Sequence, residues 1–259
     1  MAEWQTHYLQ EVASLLMWVQ VPPTAPLIGN MIVSAIMSEQ MQTDFKHWQV
    51  GGLFPTSIGT FDLQVELTDT EDAFHLFSYV DKERGWAVQA IYDKGIEEFS
   101  LKGSLCIMQI TFIEFISADF DFFRTMLMQK LVDLVDYWAV HPEKNFSVLL
   151  KKKKIDSWEY EGILPDNYAG FQRIISPDKS IKILNGSFVI AAYYNVACNS
   201  GLVLLYNILR DDFFAEIRVH HFPSLVHDFD SHDLRLFERN LKSNLKPLLE
   251  SLKEKASTG

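Results

Sequence analysis

The feature that most constrains this chain of 259 residues is a sequence pattern that occurs twice, 110 positions apart. Residues 48–61 align without a gap with residues 158–171, and Trp, Gly, Pro and Phe are identical at four of the 14 positions. Repetition at a fixed period is the sequence signature of similar structural units placed one after the other. The pattern therefore predicts an internal duplication.

The strand-like segments that follow also recur in the same order. Each half contains two runs rich in apolar, aromatic and β-branched residues, separated by a polar turn with Gly or Asn, which is typical of a β-hairpin. A third run then precedes a helical pattern. The runs are residues 73–80, 86–92 and 104–115 in the first half and residues 187–197, 202–209 and 213–222 in the second.

The helical patterns have an acidic start and a buried stripe in both halves. The sequence Asp-Phe-Asp at 119–121 precedes the first helix and recurs at 228–230, 109 positions later, before the second. Carboxylates at this place accept hydrogen bonds from free backbone N–H groups, so the shared acids are predicted to be N-caps. Apolar residues spaced i, i+4, i+8 and i+11 lie on one face of a helix. The stripes are Leu127, Leu131, Val135 and Trp138 in the first helix, and Phe237, Leu241, Leu245 and Leu248 in the second.

These elements predict an α+β fold of two similar units, each an antiparallel sheet of about three to five strands with a helix packed on one face. An N-terminal helical hairpin over residues 3–41 is expected to cover the first sheet. Pro142 ends the first helix, because the residue before a proline disfavours the α region. The predicted domains are residues 1–141, with the N-terminal helices and the first unit, and residues 142–259, with the second unit.

The segment after Pro142 contains the lysine run 151–154. Residues 146–150 are predicted to be a short strand, and the lysines are predicted to form a solvated edge strand, since Lys prevents pairing with another chain. A basic patch for nucleic acid or membrane is the alternative, but the acidic residues at 156, 159 and 161 reduce its field. Pro247 predicts a kink in the last helix or the start of a second one.

Charge is unevenly distributed along the chain. The net charge is −11, and residues 1–141 hold 19 acidic against 7 basic residues, whereas the rest is nearly neutral. A strongly acidic half repels phosphate, so nucleic-acid binding is disfavoured. Two interpretations stay open: the acidic half binds a basic protein partner, or it keeps the protein soluble.

The N-terminal stretch bears on the location of the protein. No Lys or Arg precedes Lys46, whereas a secretory signal needs positive residues ahead of its apolar region, so a cytoplasmic location is predicted. Residues 12–38 hold no charge, but Pro22 and Pro23 divide them into stretches shorter than the roughly 20 apolar residues that span a bilayer. Two buried helices are expected, and a membrane-lying segment is the alternative.

No complete catalytic arrangement is visible in the sequence. It contains neither a Gly-x-Ser-x-Gly motif nor a Gly-rich phosphate loop. Cys106 and Cys198 are too few for a disulfide framework or a four-thiolate metal site. Cys106 falls in an apolar strand-like run, where a thiol is normally inert. No cofactor is therefore predicted.

Residues 220–233 do concentrate groups that bind metal ions. His220, His227, Asp228 and His232 combine imidazole with carboxylate, the ligands that Zn²⁺ and Fe²⁺ take in proteins. His220 and His221 are predicted to lie on a strand and so to point to opposite faces of the sheet. The structural alternative is that the acids cap a helix and that the histidines, which the matching residues 116–121 of the first half lack, have no catalytic role.

Three functions are consistent with these observations. The favoured hypothesis is a non-catalytic cytoplasmic binding or protein-interaction protein that contacts a partner through its acidic first half. The alternative is a metal-dependent hydrolase that uses His220, His227, Asp228 and His232. The third is a membrane-associated protein that uses residues 12–37.

Overall fold

Two antiparallel sheets, each accompanied by a long helix, make up the part of the chain that the computed structural model describes, which is Thr43, residues 47–183 and residues 186–258. The predicted α+β class with two similar sheet units is confirmed. The predicted hairpin over residues 3–41 and the uncharged stretch 12–38 lie outside the described residues. Within the described ranges, no helix is long and apolar enough to cross a membrane.

The first unit follows a short helix, α1 (Val50–Leu53), and has seven strands, β1 (Ser57–Ile58), β2 (Phe61–Gln64), β3 (Thr68–Asp69), β4 (Ala73–Asp81), β5 (Trp86–Asp93), β6 (Glu98–Leu105) and β7 (Gln109–Ser117). They pair in the order β1-β2-β4-β5-β6-β7, with β3 beside β4, so β7 forms one edge. Helix α2 (Phe120–Val135) follows β7 and continues into a π-helical turn at Asp136–Val140.

The second unit follows a short helix, α3 (Val148–Lys152), and has seven strands, β8 (Asn167–Tyr168), β9 (Phe171–Ile175), β10 (Ile181–Lys182), β11 (Ser187–Asn195), β12 (Ser200–Asn207), β13 (Asp212–Val219) and β14 (Phe222–Ser231). They pair in the order β8-β9-β11-β12-β13-β14, with β10 beside β11, so β14 forms one edge. Helix α4 (Leu234–Thr258) ends the unit.

The two units correspond element by element. Strands β1 and β2 precede β8 and β9 by 110 positions, as the sequence predicts, but β4, β5 and β6 precede β11, β12 and β13 by 114. The second unit therefore has four additional residues between β9 and β11. From β4 onward, we call a residue of the first unit equivalent to the residue 114 positions later.

Each sheet has more strands than predicted, because three strands precede the first predicted run and because one run that reads as a single strand contains a turn. The run 104–115 turns between β6 and β7, and the run 213–222 turns between β13 and β14. Cys106, His220 and His221 lie in these turns with φ of 59°, 47° and 73°. Their predicted placement on strands is therefore wrong, since apolar periodicity alone does not show where a strand-rich run reverses.

The same cap begins both long helices. Ser117 Oγ accepts from Asp119 N and donates to Asp119 O at 2.9 and 3.1 Å, and Ser231 binds Asp233 in the same way at 3.0 and 2.7 Å. The Asp119 carboxylate accepts from Phe122 N, which confirms it as an N-cap. Asp228 and Asp230 lie within β14, so their prediction as caps is wrong.

Each long helix packs an apolar stripe on its sheet, and the stripes are equivalent. Phe123 stacks on Phe99 with ring centroids 5.3 Å apart, and the equivalent Phe237 stacks on Phe213 at 4.8 Å. The residues equivalent to Val135 and Trp138 are Leu249 and Leu252, which are buried, whereas the predicted Leu248 is only partly buried. The shared stripe residues are Phe123, Leu127, Leu131 and Val135, and Phe237, Leu241, Leu245 and Leu249.

The segment between the units is helical where strands are predicted. Ser147 Oγ accepts from Leu150 N at 3.3 Å and caps α3, so residues 146–150 are not a strand and the lysine run is not a sheet edge. Lys153 pairs with Asp211 at 2.7 Å. At the other end of the second unit, α4 continues through Pro247 as one helix.

The turn between β6 and β7 packs against the second sheet. Ile107 lies in this turn and is only 1% exposed. A Cβ on Gly201 of β12 would lie 2.2 Å from Cδ1 of Ile107, so the isoleucine occupies the space that a side chain would need. Residues Gln49–Gly259, which include both sheets, form one compact body. The domain boundary between residues 141 and 142 stays a prediction.

Candidate functional site

Both edge strands contain an equivalent bulge, and the chemistry of the bulges differs. In β7 the pairing with β6 skips residues 113–116, and in β14 the pairing with β13 skips residues 227–230. Phe115 and the equivalent Phe229 anchor the bulges and are fully buried. The remaining bulge residues are Ile, Glu and Ile in the first unit and His, Asp and Asp in the second.

The structure does not bring the four predicted metal ligands to one place. His220 lies at the tip of the β13–β14 hairpin, where its backbone N–H donates to Ser200 Oγ at 3.2 Å. His227 and Asp228 lie in the bulge, and His232 follows the end of β14. Among the described residues, no group of three or more His, Cys, Asp or Glu residues is placed to hold a metal ion. The metal-dependent hydrolase stays a prediction without this geometric support.

Two of the predicted ligands, His227 and His232, line a shallow depression of about 370 Å³. His227 Nδ1 lies 2.8 Å from Asp230 Oδ2, and 78% of the histidine side chain is exposed. Ser231, the hydroxyl residue in this lining, donates to the Asp233 carbonyl oxygen, so it serves the helix cap and is not activated by a histidine. The charged and titratable residues of the lining are Arg210, Asp212, His227, Asp230 and His232.

Among the described residues around His227, therefore, no hydroxyl or thiol is activated as a nucleophile. Sequence reasoning did not place Asp230 beside His227, because residues three apart in a regular strand point to opposite faces, and no sequence signal shows the bulge that brings the two together. The hydrogen bond from Lys153 lowers the pKa of the neighbouring Asp211, which keeps that carboxylate charged and paired. Burial raises the pKa of the Cys106 thiol, which argues against a nucleophilic role for this cysteine.

The lysine run does not form a strongly basic patch. Lys152, Lys153 and Lys154 line a depression of about 530 Å³ at the start of α4. Arg235 also lines this depression, and Glu159, Asp233 and Glu238 offset three of its four positive charges. Glu238 also accepts from Trp158 Nε1 at 2.6 Å, so part of this depression holds α4 against the preceding segment.

One set of exposed apolar residues in the first unit has no apolar counterpart at the equivalent positions of the second unit. We define the apolar set as four residues of β7 and α2, which are Ile113, Ile116, Met128 and Val132, exposed by 61%, 38%, 57% and 39%. The equivalent residues of the second unit are His227, Asp230, Lys242 and Lys246. The two units thus share a fold but not this surface.

A groove of about 480 Å³ lies between the first unit and strand β10. Trp138, which is 5% exposed, lines this groove and packs edge-on against Phe112 with ring centroids 5.2 Å apart. Its Nε1 has no hydrogen-bond partner among the described residues. A Cβ on Gly103 would lie 2.4 Å from Cη2 of Trp138, so the indole needs a glycine at this position.

Comparison with known proteins gives no family for this chain. No protein-family model matches it. No curated protein and no solved structure matches it either.

Proposed function

We propose that this chain is a non-catalytic binding protein, built from a duplicated unit, that contacts another protein through its first unit. The partner carries apolar side chains flanked by Lys and Arg. The observation that carries this proposal is the apolar set, which is exposed where the second unit has charged or titratable side chains.

The comparison between units separates folding from binding. Because the second unit forms the same bulge and helix with polar residues at these positions, the fold does not require the apolar set. Charged side chains on an exposed sheet edge prevent contact with other chains, and the first unit lacks them at positions 113 and 116. Exposed apolar side chains grouped in one part of a protein are typical of an interaction surface.

The charges around the apolar set favour a basic partner. Residues 109–137 hold five acidic and two basic residues, and one of the two, Arg124, pairs with Asp121 at 3.2 Å. A partner with Lys and Arg near its apolar residues is attracted to this part of the first unit. A second copy of the chain would bring the same acidic surface against itself, so self-association is disfavoured.

A designed peptide tests this proposal with the full chain. The probe is a fluorescent amphipathic helical peptide of Leu and Lys, and the measurement is its fluorescence anisotropy. We expect binding that weakens as salt screens the charges. Replacing all four residues of the apolar set with Gln leaves the net charge unchanged and removes apolar contact area, so affinity is expected to fall roughly tenfold or more.

Two controls make the result specific. In a matched variant, Phe222 and Leu225, which are 79% and 61% exposed on β14 of the second unit, are replaced with Gln, and peptide affinity is expected to stay unchanged. A peptide of Leu and Glu should bind much more weakly. An absence of Leu/Lys binding, equal losses in the two glutamine variants or equal affinity for both peptides would overturn the proposal.

A further inference from the structure

We propose that the free edge of β7 pairs with an extended segment of the protein partner, which then forms an eighth strand of the first sheet. The segment alternates apolar and polar side chains and has Lys or Arg at its ends. This inference rests on the function proposed above, because it specifies how the partner contacts the first unit. Three observations lead to it: unpaired backbone groups, a difference between the two sheet edges, and a groove beside β7.

Strand β7 directs unpaired backbone groups away from the sheet. In the described part of the chain, β6 is the strand that pairs with it. At the start of this ladder, Leu105 N donates to Met108 O at 2.9 Å. Hydrogen-bonded and non-bonded pairs alternate in an antiparallel ladder, so Gln109 and Thr111 point their N–H and C=O groups outward. Within the described ranges no other backbone group bonds to them, so they are free to bind a further strand.

The equivalent edge of the second unit is protected against such pairing. Pro223 of β14 is equivalent to Gln109, and proline has no N–H to donate. The bulge of β14 adds one histidine and two aspartates, where that of β7 has two isoleucines and one glutamate. Proline and charged side chains are the usual means by which sheet edges avoid pairing. Because the second unit folds with proline at this position, the outward N–H of Gln109 is not required for the fold.

The groove of about 480 Å³ determines which side chains the added strand presents. Ile110 and Phe112 of β7 line this groove, and they alternate with Gln109 and Thr111, so the two pairs lie on opposite faces of the strand. A side chain of the added strand that lies opposite Ile110 or Phe112 therefore points toward the groove. Leu134 extends the apolar lining, and the two lysines and two acids of the groove sum to zero charge. Apolar side chains are therefore expected on this face of the segment.

The charge around β7 favours Lys or Arg at the ends of the segment. Residues 109–137 hold five acidic and two basic residues, and Asp119 and Asp121 follow soon after the end of β7. Positive ends are therefore attracted to this part of the first unit. A strand from a second copy would instead bring the same acidic residues together, which opposes pairing of two copies.

A pair of backbone-modified peptides tests the pairing itself with the full chain. The probe is a fluorescent peptide with Val and Thr alternating between terminal lysines, and its binding is measured by fluorescence anisotropy. In antiparallel pairing, the residues opposite Gln109 and Thr111 direct their N–H groups to β7, and those opposite Ile110 and Phe112 direct them away. With Val on the groove side, N-methylation of the Thr residues should weaken binding about tenfold or more, whereas N-methylation of the Val residues should change it less than about twofold.

The equivalent positions of the two edges provide matched variants of the protein. Gln109→Pro copies the second unit and removes an outward N–H group, so affinity for the unmodified peptide is expected to fall about tenfold or more. Pro223→Gln is the control in the second unit, and affinity should stay unchanged with one peptide bound per chain. Circular dichroism checks that each variant is folded, and the comparison of the two N-methylated peptides decides the question without any substitution.

The results separate this inference from the proposed function. If the helical Leu/Lys peptide binds and the extended peptide does not, strand pairing is refuted and the proposed function stands. If neither peptide binds, both are refuted. Equal effects of the two N-methylations, or full affinity in folded Gln109→Pro, would also overturn strand pairing. A wild-type dimer that Gln109→Pro dissociates, detected by analytical ultracentrifugation, would identify a second copy as the occupant of the edge and contradict a separate partner.

Discussion

The contact between Gly103 and Trp138 makes a quantitative prediction about stability. Gly103→Ile places a branched side chain where a Cβ alone would lie 2.4 Å from the indole, and such overpacking costs about 3 kcal/mol. Trp138→Leu leaves roughly 60 Å³ unfilled, which costs about 2 kcal/mol with relaxation of the core. If the two changes were independent, the double variant would lose about 5 kcal/mol.

The double variant is instead expected to lose only about 2 kcal/mol, because isoleucine then fills the space that the indole leaves, as Ile217 and Leu252 do in the second unit. The coupling free energy is therefore about 3 kcal/mol, at the upper end for residues in contact. Urea unfolding, followed by circular dichroism and by fluorescence, measures it. Gly103→Ile combined with Trp158→Leu, in the second unit, is the control and should be additive. Additive losses for Gly103 and Trp138, within about 0.5 kcal/mol, would refute the equivalence of the two cores.

Three further changes test other contacts by urea unfolding. Burial acts to raise the pKa of Asp81, but hydrogen bonds from Thr60 and Arg84 outweigh burial, so the pKa is lowered. Asp81→Ala should therefore reduce the free energy of unfolding by about 3 kcal/mol at pH 7. This loss should shrink as the pH falls below about 4, because Asp81 is then protonated in the unfolded chain. A cost that does not change with pH would contradict this. Burial raises the pKa of Tyr79 to about 12, and its hydroxyl donates to the Pro55 carbonyl oxygen at 2.6 Å. Tyr79→Phe should therefore reduce the free energy of unfolding by about 1–2 kcal/mol. Ultraviolet titration of the wild type should show a tyrosine that stays protonated at pH 11. Asp233→Ala should cost about 1 kcal/mol through loss of a helix cap, whereas alanine at Asp228 or Asp230 should cost less than about 0.5 kcal/mol.

The repeat was visible in the sequence, but its register was ambiguous for a physical reason. The shifts of 110 and 114 positions differ by four residues, about one turn of an α-helix. An apolar stripe therefore matches its counterpart nearly as well at either shift, so the shift of 110 pairs Trp138 with Leu248, whereas the structure pairs it with Leu252. The recurrence of Asp-Phe-Asp at 228–230 reinforced the wrong shift, although those residues form a bulge and not a cap.

The candidate sites depended on contacts that periodicity does not contain. The packing of Trp138 over Gly103 is one such contact. Gly103 lies on a strand 35 positions earlier, and no local sequence pattern links the two residues. At the shift of 114, Met128 and Val132 correspond to Lys242 and Lys246 of the second unit, but the sequence alone does not show that the two apolar residues are exposed. The composition of the His-rich stretch, by contrast, was a clear signal. Because β14 extends this stretch along a sheet edge, the four predicted metal ligands lie apart from one another.

The packing of Ile107 into the space left by Gly201 makes the two halves of this protein mutually dependent. A chain cleaved after His141 would yield one fragment with an uncovered isoleucine and another with an uncovered strand face. The two fragments are expected to associate when mixed, and neither is expected to fold stably alone.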